Sequence, residues 1–345
     1  MDTKFFASAN SYNGFYSLFD NIFSSEKFDK VFIIKGGPGT GKSSMMRSIG
    51  EFVKENGGEI ELYYCSSDTS SIDGIIINLG EKSIAIMDGT APHQRDANFP
   101  IVIDEIINLA EGLDPMWIGA KRDDIITLSS QKSNAYKAAY SYLKLAGECH
   151  RVIRTKRIEK FSRQSALKYI RKNLDEYDTE DATVAHKRFI SSFSKNGYKT
   201  FWGLNNKYNA KTKIGGDKIC AEILLGFISE NILCKKLEIF PSPLSPGCPE
   251  KIAMNENCLI CMNSESYDIM SNDFFKNSKT DFEEIRLAEK SHEEFLSEAV
   301  RWLSIASDIH LRLEDVYQKA MNFENNNLIF DKICKNILKV CDYSG

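Results

Sequence analysis

With 345 residues, 42% of them hydrophobic and 27% charged, the chain is too long for one average domain and too apolar for a disordered one, so two globular domains are expected. A net charge of −4 excludes a protein that coats nucleic acid over its whole surface. No apolar run reaches membrane-spanning length and the start carries no secretory pattern, so the expectation is a cytoplasmic protein with no membrane partner and with its nine cysteines reduced.

In chain order, "KVFIIKG", "IELYYC" and "SIAIMDG" are short, β-rich and bounded by turn residues, which predicts buried strands. Between the first two lies "SSMMRSIGEFVKENGG", with Met46, Ile49 and Val53 at helical spacing and a glycine pair to end it. Strand, helix, strand in this order predicts an α/β fold, a parallel sheet with covering helices. In "FPIVIDEIINLAEG", Asp104 runs into an apolar pattern of helical type, which makes it a helix N-cap with Glu105 in the first turn. From Asp123 to Asn173 the text becomes a long helical region, and its stretch 151–172 carries nine basic residues against one acidic. That stretch predicts either a solvated arm or a contact with a nucleic-acid or acidic protein partner.

The junction of the first strand and helix holds the strongest signal. Gly36 to Ser43 fits GxxxxGK[ST], preceded by an apolar strand and followed by an amphipathic helix. Gly36, Gly37, Pro38, Gly39, Thr40 and Gly41 form the expected nucleotide-binding loop, continued by Lys42, Ser43 and Ser44. Backbone N–H groups of such a loop point at phosphate oxygens, and the following helix adds its positive end. Lys42 is expected to reach the outer phosphates and Ser43 to ligate Mg²⁺. A carboxylate at a neighbouring strand end must position the ion. Asp88, closing "SIAIMD", is favoured, and the Asp104–Glu105 pair is the second choice, with Glu105 as the candidate water-activating base. Ser66, Ser67, Asp68, Thr90 and His93 either contact the γ-phosphate or form turns; Arg95 is a further candidate for phosphate charge.

The chain also repeats itself. "KFFASANSYNGFYSLF" from Lys4 matches "KRFISSFSKNGYKTFW" from Lys187 at an offset of 183. "SIAIMD" matches "CLICMN" near 176, and "AYSYLKLAGECH" matches "AVRWLSIASDIH" at 160. Ordered matches of this kind predict a duplicated domain, each half with its own helical arm. The polar stretch "DEYDTEDATVAHK" divides the chain into residues 1–180 and 181–345. In the second half, Lys218 falls on Lys42, Asp217 on Gly41, Ile219 on Ser43 and Asn263 on Asp88, which predicts a degenerate half without a nucleotide site. The CxxC pair Cys258 and Cys261 is expected to be buried core thiols, since no second pair or histidine completes a metal set.

The segments Phe6–Ser17, Ile33–Ser44, Cys65–Asp68, Asp88–His93 and Ile103–Leu109 together resemble a family of bacterial tandem P-loop ATPase-like proteins. The resemblance covers most of the first half and the second half loosely. It implies a duplicated P-loop NTPase-type fold that binds and hydrolyses ATP, with Mg²⁺ as the further cofactor expected from Ser43 and Asp88. Slow ATPase or ATP-driven switch is the first reading; a small-molecule kinase or a non-hydrolysing nucleotide sensor is the alternative.

Overall fold

A computed structural model describes residues 3–174, 184–201, 210–255, 258–262, 267–276 and 282–342. The first half runs β1 (Thr3–Phe6), β2 (Ser8–Ser11), β3 (Gly14–Ser17), α1 (Phe19–Ile22), β4 (Lys30–Lys35), α2 (Lys42–Glu55), β5 (Glu59–Tyr64), β6 (Ile72–Leu79), β7 (Lys82–Asp88) and β8 (Asp104–Asn108). Its helical arm is α3 (Pro115–Ala120), α4 (Arg122–Ile158) and α5 (Arg163–Asn173). The second half repeats the order with β9 (Val184–Lys187), β10 (Ser191–Ser194), β11 (Gly197–Thr200), β12 (Ala210–Gly215), α6 (Lys218–Asn231), β13 (Lys236–Pro241), β14 (Pro249–Met254), β15 (Cys258–Met262) and β16 (Ile269–Met270). Its arm is α7 (Phe282–Lys319) and α8 (Glu324–Asp342).

The two six-stranded sheets have one topology. The first is ordered β1-β5-β6-β7-β4-β8 and the second, read from its other end, β9-β13-β14-β15-β12-β16. In each, the third strand, β6 or β14, is antiparallel to both neighbours, while the other pairings are parallel. The sheets are therefore mixed, where a parallel sheet was expected. The reason is local: "IDGIIINL" forms a hairpin with "KSIAIMD" through the Gly80 turn, which brings the chain back beside itself without a helix. A second difference concerns residues 104–108, which form an edge strand on β4, with no helix after Asp104.

Reciprocal contacts join the halves. Phe6 and Phe189, equivalent in the repeat, exchange N–H···O bonds of 2.8 and 3.1 Å, as residues on a pseudo-two-fold axis must. The Tyr12 N–H bonds the Leu244 carbonyl, and the Lys195 N–H bonds the Ser67 carbonyl. Helices α4 and α7 lie side by side and antiparallel, with Ala139, Leu143, Ala146, Ala299 and Leu303 buried between them. Small residues let the two backbones approach. Each long helix spans roughly 55 Å at about 1.5 Å per residue, so it carries its arm onto the opposite half. Ala166 and Ile170 of α5 pack into the core under the second sheet, whereas Ile333, Cys334 and Ile337 of α8 complete the core of the first. The expected boundary at 180/181 lies outside the described residues.

Eight described cysteines are free thiols; Cys261 is half-buried, not a core residue, and the side chain of Cys258 lies outside the described residues. No helix among the described residues is long and apolar enough to cross a membrane.

Candidate functional site

Strand β4 ends at Lys35 and α2 begins at Lys42, leaving the six residues 36–41 as the glycine loop. Gly39 and Gly41 take φ of +71° and +90°, a left-handed backbone that glycine adopts without strain. Gly41 is the N-cap of α2, and no side chain among the described residues caps this helix start, which carries no acidic residue in its first turn. The first-turn N–H groups are thereby left for an anion. Lys42 Nζ donates to the carbonyls of Gly36 and Gly37, both at 2.8 Å, and lies 3.6 Å from an Asp88 carboxylate oxygen. The Ser43 hydroxyl oxygen accepts from the Ile72 N–H at 3.0 Å. Pro38 is half-buried in the loop, Thr40 bonds the Gly37 carbonyl through its hydroxyl, and Ser44 is exposed at the helix start.

The second half differs here by more than substitution. Only Gly216 and Asp217 separate β12 from α6, four residues fewer than in the first half. Asp217 caps α6 by accepting from the N–H groups of Ile219 and Cys220, both at 2.9 Å, and its other oxygen binds Arg157 at 2.6 Å. Its own carboxylate thus occupies the anion position. Strand register pairs Ile214 with Met262 where Ile34 pairs with Asp88, so Met262 is the counterpart of Asp88. Asn263, the counterpart expected from the sequence, lies outside the described residues.

Asp88 is buried at the end of β7, where one carboxylate oxygen accepts from the N–H and hydroxyl of Thr90. His93 sits beside it: Nδ1 donates to the Asp88 carbonyl at 2.9 Å, the ring stacks on Phe19, and Nε2 lies 3.6 Å from Asp73. Burial pulls the imidazole's pKa down, but the Asp73 carboxylate, with Asp88 behind it, outweighs burial and holds it above 6.5. Asp73 went unnoticed in the sequence, where it is the last residue of a turn-rich segment 31 positions beyond Lys42. Only the antiparallel return of β6 brings it to Asp88.

The other candidates lie elsewhere. Glu105 pairs in register with Phe32, three residues before the end of β4, and is held by Lys30 at 3.7 Å and Lys332 at 2.8 Å. It does not reach the loop. Asp104 accepts from the Ser25 hydroxyl and from the N–H groups of Asn98 and Phe99, each at 2.7 Å, so it ties down the approach to β8. Arg95 is buried, with its guanidinium on the Phe23 carbonyl and the Ser25 hydroxyl. Ser66, Ser67 and Asp68 join the halves, bonding Ser192, the Lys195 backbone and the Lys195 ammonium respectively.

The arm of the second half closes over the loop. A methyl group added at Gly37 would meet the Tyr317 ring at 2.8 Å, and one added at Gly39 would meet the Glu314 carbonyl at 2.7 Å. Asn326 donates from Nδ2 to the Thr40 carbonyl at 2.9 Å, while its buried Oδ1 has no partner among the described residues. Lys132 of α4 is also near; burial first, then the Lys42 charge, lowers its pKa against the opposing pull of Glu314. The basic stretch 151–172 is no continuous helix, since it breaks between α4 and α5. Arg151, Arg154, Lys156 and Arg157 are engaged by Glu148, Glu222, Glu284 and Asp217.

No protein-family model matches the chain, and neither a curated protein nor a solved structure matches it.

Proposed function

We propose that the first half binds ATP with Mg²⁺ at the glycine loop and works as a slow ATPase or ATP-driven switch, while the second half binds no nucleotide. One observation carries this reading. Two equivalent helix starts, each with a lysine at its first position, differ in what matters to an anion: α6 is capped by its own Asp217, whereas α2 is uncapped and follows a glycine loop four residues longer. An uncapped start of a fourteen-residue helix with a lysine at its first position favours bound phosphate.

The residues fit the two groups. For ATP, the half-buried loop offers backbone N–H groups, and Lys42, now satisfied by two loop carbonyls, can turn to phosphate oxygens. For Mg²⁺, the Ser43 hydroxyl and the Asp88 carboxylate are the oxygen donors, which suits an ion that keeps most of its shell as water and phosphate. When bound, the ion neutralises phosphate charge. The chain's own part is to orient the phosphates through α2, to hold Asp88 by Thr90, and to cover the loop with Tyr317 and Asn326. This cover favours the switch: phosphate arriving beneath an arm that belongs to the other half changes contacts that both halves share.

Calorimetry on the full chain tests the reading. Mg-ATP should bind at one site, Lys42→Ala should abolish binding, and Lys218→Ala should leave it unchanged. Phosphate release without an acceptor should be slow, reduced by Asp88→Asn and unaffected by Glu105→Gln, because Glu105 is engaged by Lys30 and Lys332 away from the loop. Two sites of similar affinity, or loss of turnover in Glu105→Gln, would overturn it.

A further inference from the structure

Beside the Lys42–Asp88 pair stand two more ligand-type side chains, Asp73 and His93, where a nucleotide site needs only Asp88. Asp73 at the start of β6, Asp88 at the end of β7 and His93 in the turn beyond each offer one donor atom, and the three atoms lie within 4.8 Å of one another. Ligands on opposite sides of an ion bound at about 2.0–2.2 Å stand about 4 Å apart, so small rotations suffice to close the set.

Two independent features point to an ion. The first is the orientation of the histidine. Nδ1 faces the Asp88 carbonyl at 2.9 Å, and a carbonyl only accepts, so the proton sits on Nδ1 and Nε2 is turned to the Asp73 carboxylate. Donation of one ring N–H to a backbone carbonyl while the other nitrogen faces the site is the arrangement of metal-ligating histidines. Stacking on Phe19, with ring centroids 4.4 Å apart, fixes the ring in that pose.

The second feature is the contrast with the other half. Glu250 stands in β14 where Asp73 stands in β6, each in the irregularity beside the strand-pairing shift. Glu250 is satisfied by the hydroxyls of Ser191 and Tyr198. Asp73 is 7% exposed and faces His93 Nε2 at 3.6 Å, longer than a hydrogen bond, with no closer polar partner found among the described residues. A carboxylate this buried needs a partner. The half with Met262 in place of Asp88 supplies hydroxyls; the half with Asp88 and His93 offers Asp73 the imidazole at 3.6 Å.

We propose that Asp73, Asp88 and His93 form a divalent-metal site for a first-row ion of the Mn²⁺-to-Zn²⁺ range, filled without nucleotide. The imidazole donor sets the preference, because Mg²⁺ takes oxygen ligands whereas imidazole suits the later ions. This deepens the ATP reading, since Asp88 serves both, but metal occupancy in the absence of nucleotide does not depend on it.

The full chain, free of nucleotide, is titrated with Co²⁺ followed by visible absorption and with Mn²⁺ followed by the paramagnetic resonance of the free ion. One equivalent of each should bind, with Mg²⁺ displacing Mn²⁺ only in large excess. Loss of an outer partner alone weakens metal sites about 10- to 100-fold, so His93→Gln and Asp73→Asn should each weaken binding by at least about tenfold, while Lys218→Ala retains it. Thermal melts establish which variants fold. If neither does, the Mg²⁺ competition on the unaltered chain decides. Absence of stoichiometric Co²⁺ and Mn²⁺ binding, unchanged binding in the folded variants, or displacement by Mg²⁺ at equal concentration would reduce Asp73 and His93 to a buried ion pair and overturn the proposal. Failure of ATP binding in a chain that still binds Co²⁺ would sink the nucleotide reading alone.

Discussion

Asp68 shows how one side chain holds two halves together. Lys195 approaches it at 2.6 Å across the pseudo-two-fold contact, and both side chains are mostly buried. Burial raises the Asp68 pKa, but the bond from Lys195, helped by Ser70, outweighs it and holds the group below 3.8. A carboxyl depressed by folding stabilises the fold above its unfolded pKa, and that contribution is lost as the pH falls from 3.8 through the lower folded value. Such a partly buried pair contributes on the order of 1 kcal/mol. Lys195→Met should therefore lower stability at pH 6 and much less at pH 3, as measured by denaturant unfolding at both. At this scale the sequence was partly legible. Lys42 and Asp88 stood out because motif and strand end are local signals. Asp73 did not, because its meaning depends on which way β6 runs. Glu105 misled because an Asp-Glu pair after an apolar run looks alike in a helix and in an edge strand.

Among the elements, the paired helices α2 and α6 show most clearly what a substitution does. Asp217 gives α6 two backbone bonds and a partner for Arg157, so Asp217→Ala should cost about 1–2 kcal/mol through the lost cap, more if Arg157 is left buried and unpaired. Thermal unfolding measures it, and ATP affinity should stay unchanged. Helix α2 has no such bond to lose. The strands and the long helices were readable from periodicity, and the repeat was readable from ordered matches. The shortened loop before α6 was not, since matching Lys218 to Lys42 without a gap set residues 212–215 of β12 against loop residues 36–39, and the separate match of "SIAIMD" with "CLICMN" placed Asn263, not Met262, opposite Asp88. The antiparallel β6 and β14 escaped notice for a related reason: an apolar run reveals burial and leaves strand direction open.

At the scale of the whole molecule, neither half owns a complete core. Met321, Ile333 and Ile337 come from the far end of the chain to the first sheet. Burying each is worth about 1.5–3 kcal/mol, so losing all three removes an amount comparable with the total stability of about 5–15 kcal/mol typical of a domain. A fragment ending near residue 180 should thus be poorly soluble and bind apolar dye, and it should recover on co-expression with residues 181–345, as co-purification of the two pieces would reveal. A fully ATP-competent, monomeric 1–180 fragment would contradict this account. Periodicity could not foretell the exchange, because a helix pattern specifies an apolar face and not the sheet that receives it.

The reciprocal pairing of Phe6 with Phe189 carries the exchange one step further. Two copies of one ancestral half, each lending its arm to the other about a dyad, would make the same contacts as separate subunits, and joining them end to end would preserve every one. Once joined, the copies are free to diverge while remaining indispensable to each other's folding. The half with the shortened loop serves as scaffold: its helices cover the glycine loop of the other half, and removing it would uncover that loop and open the core beneath the first sheet together.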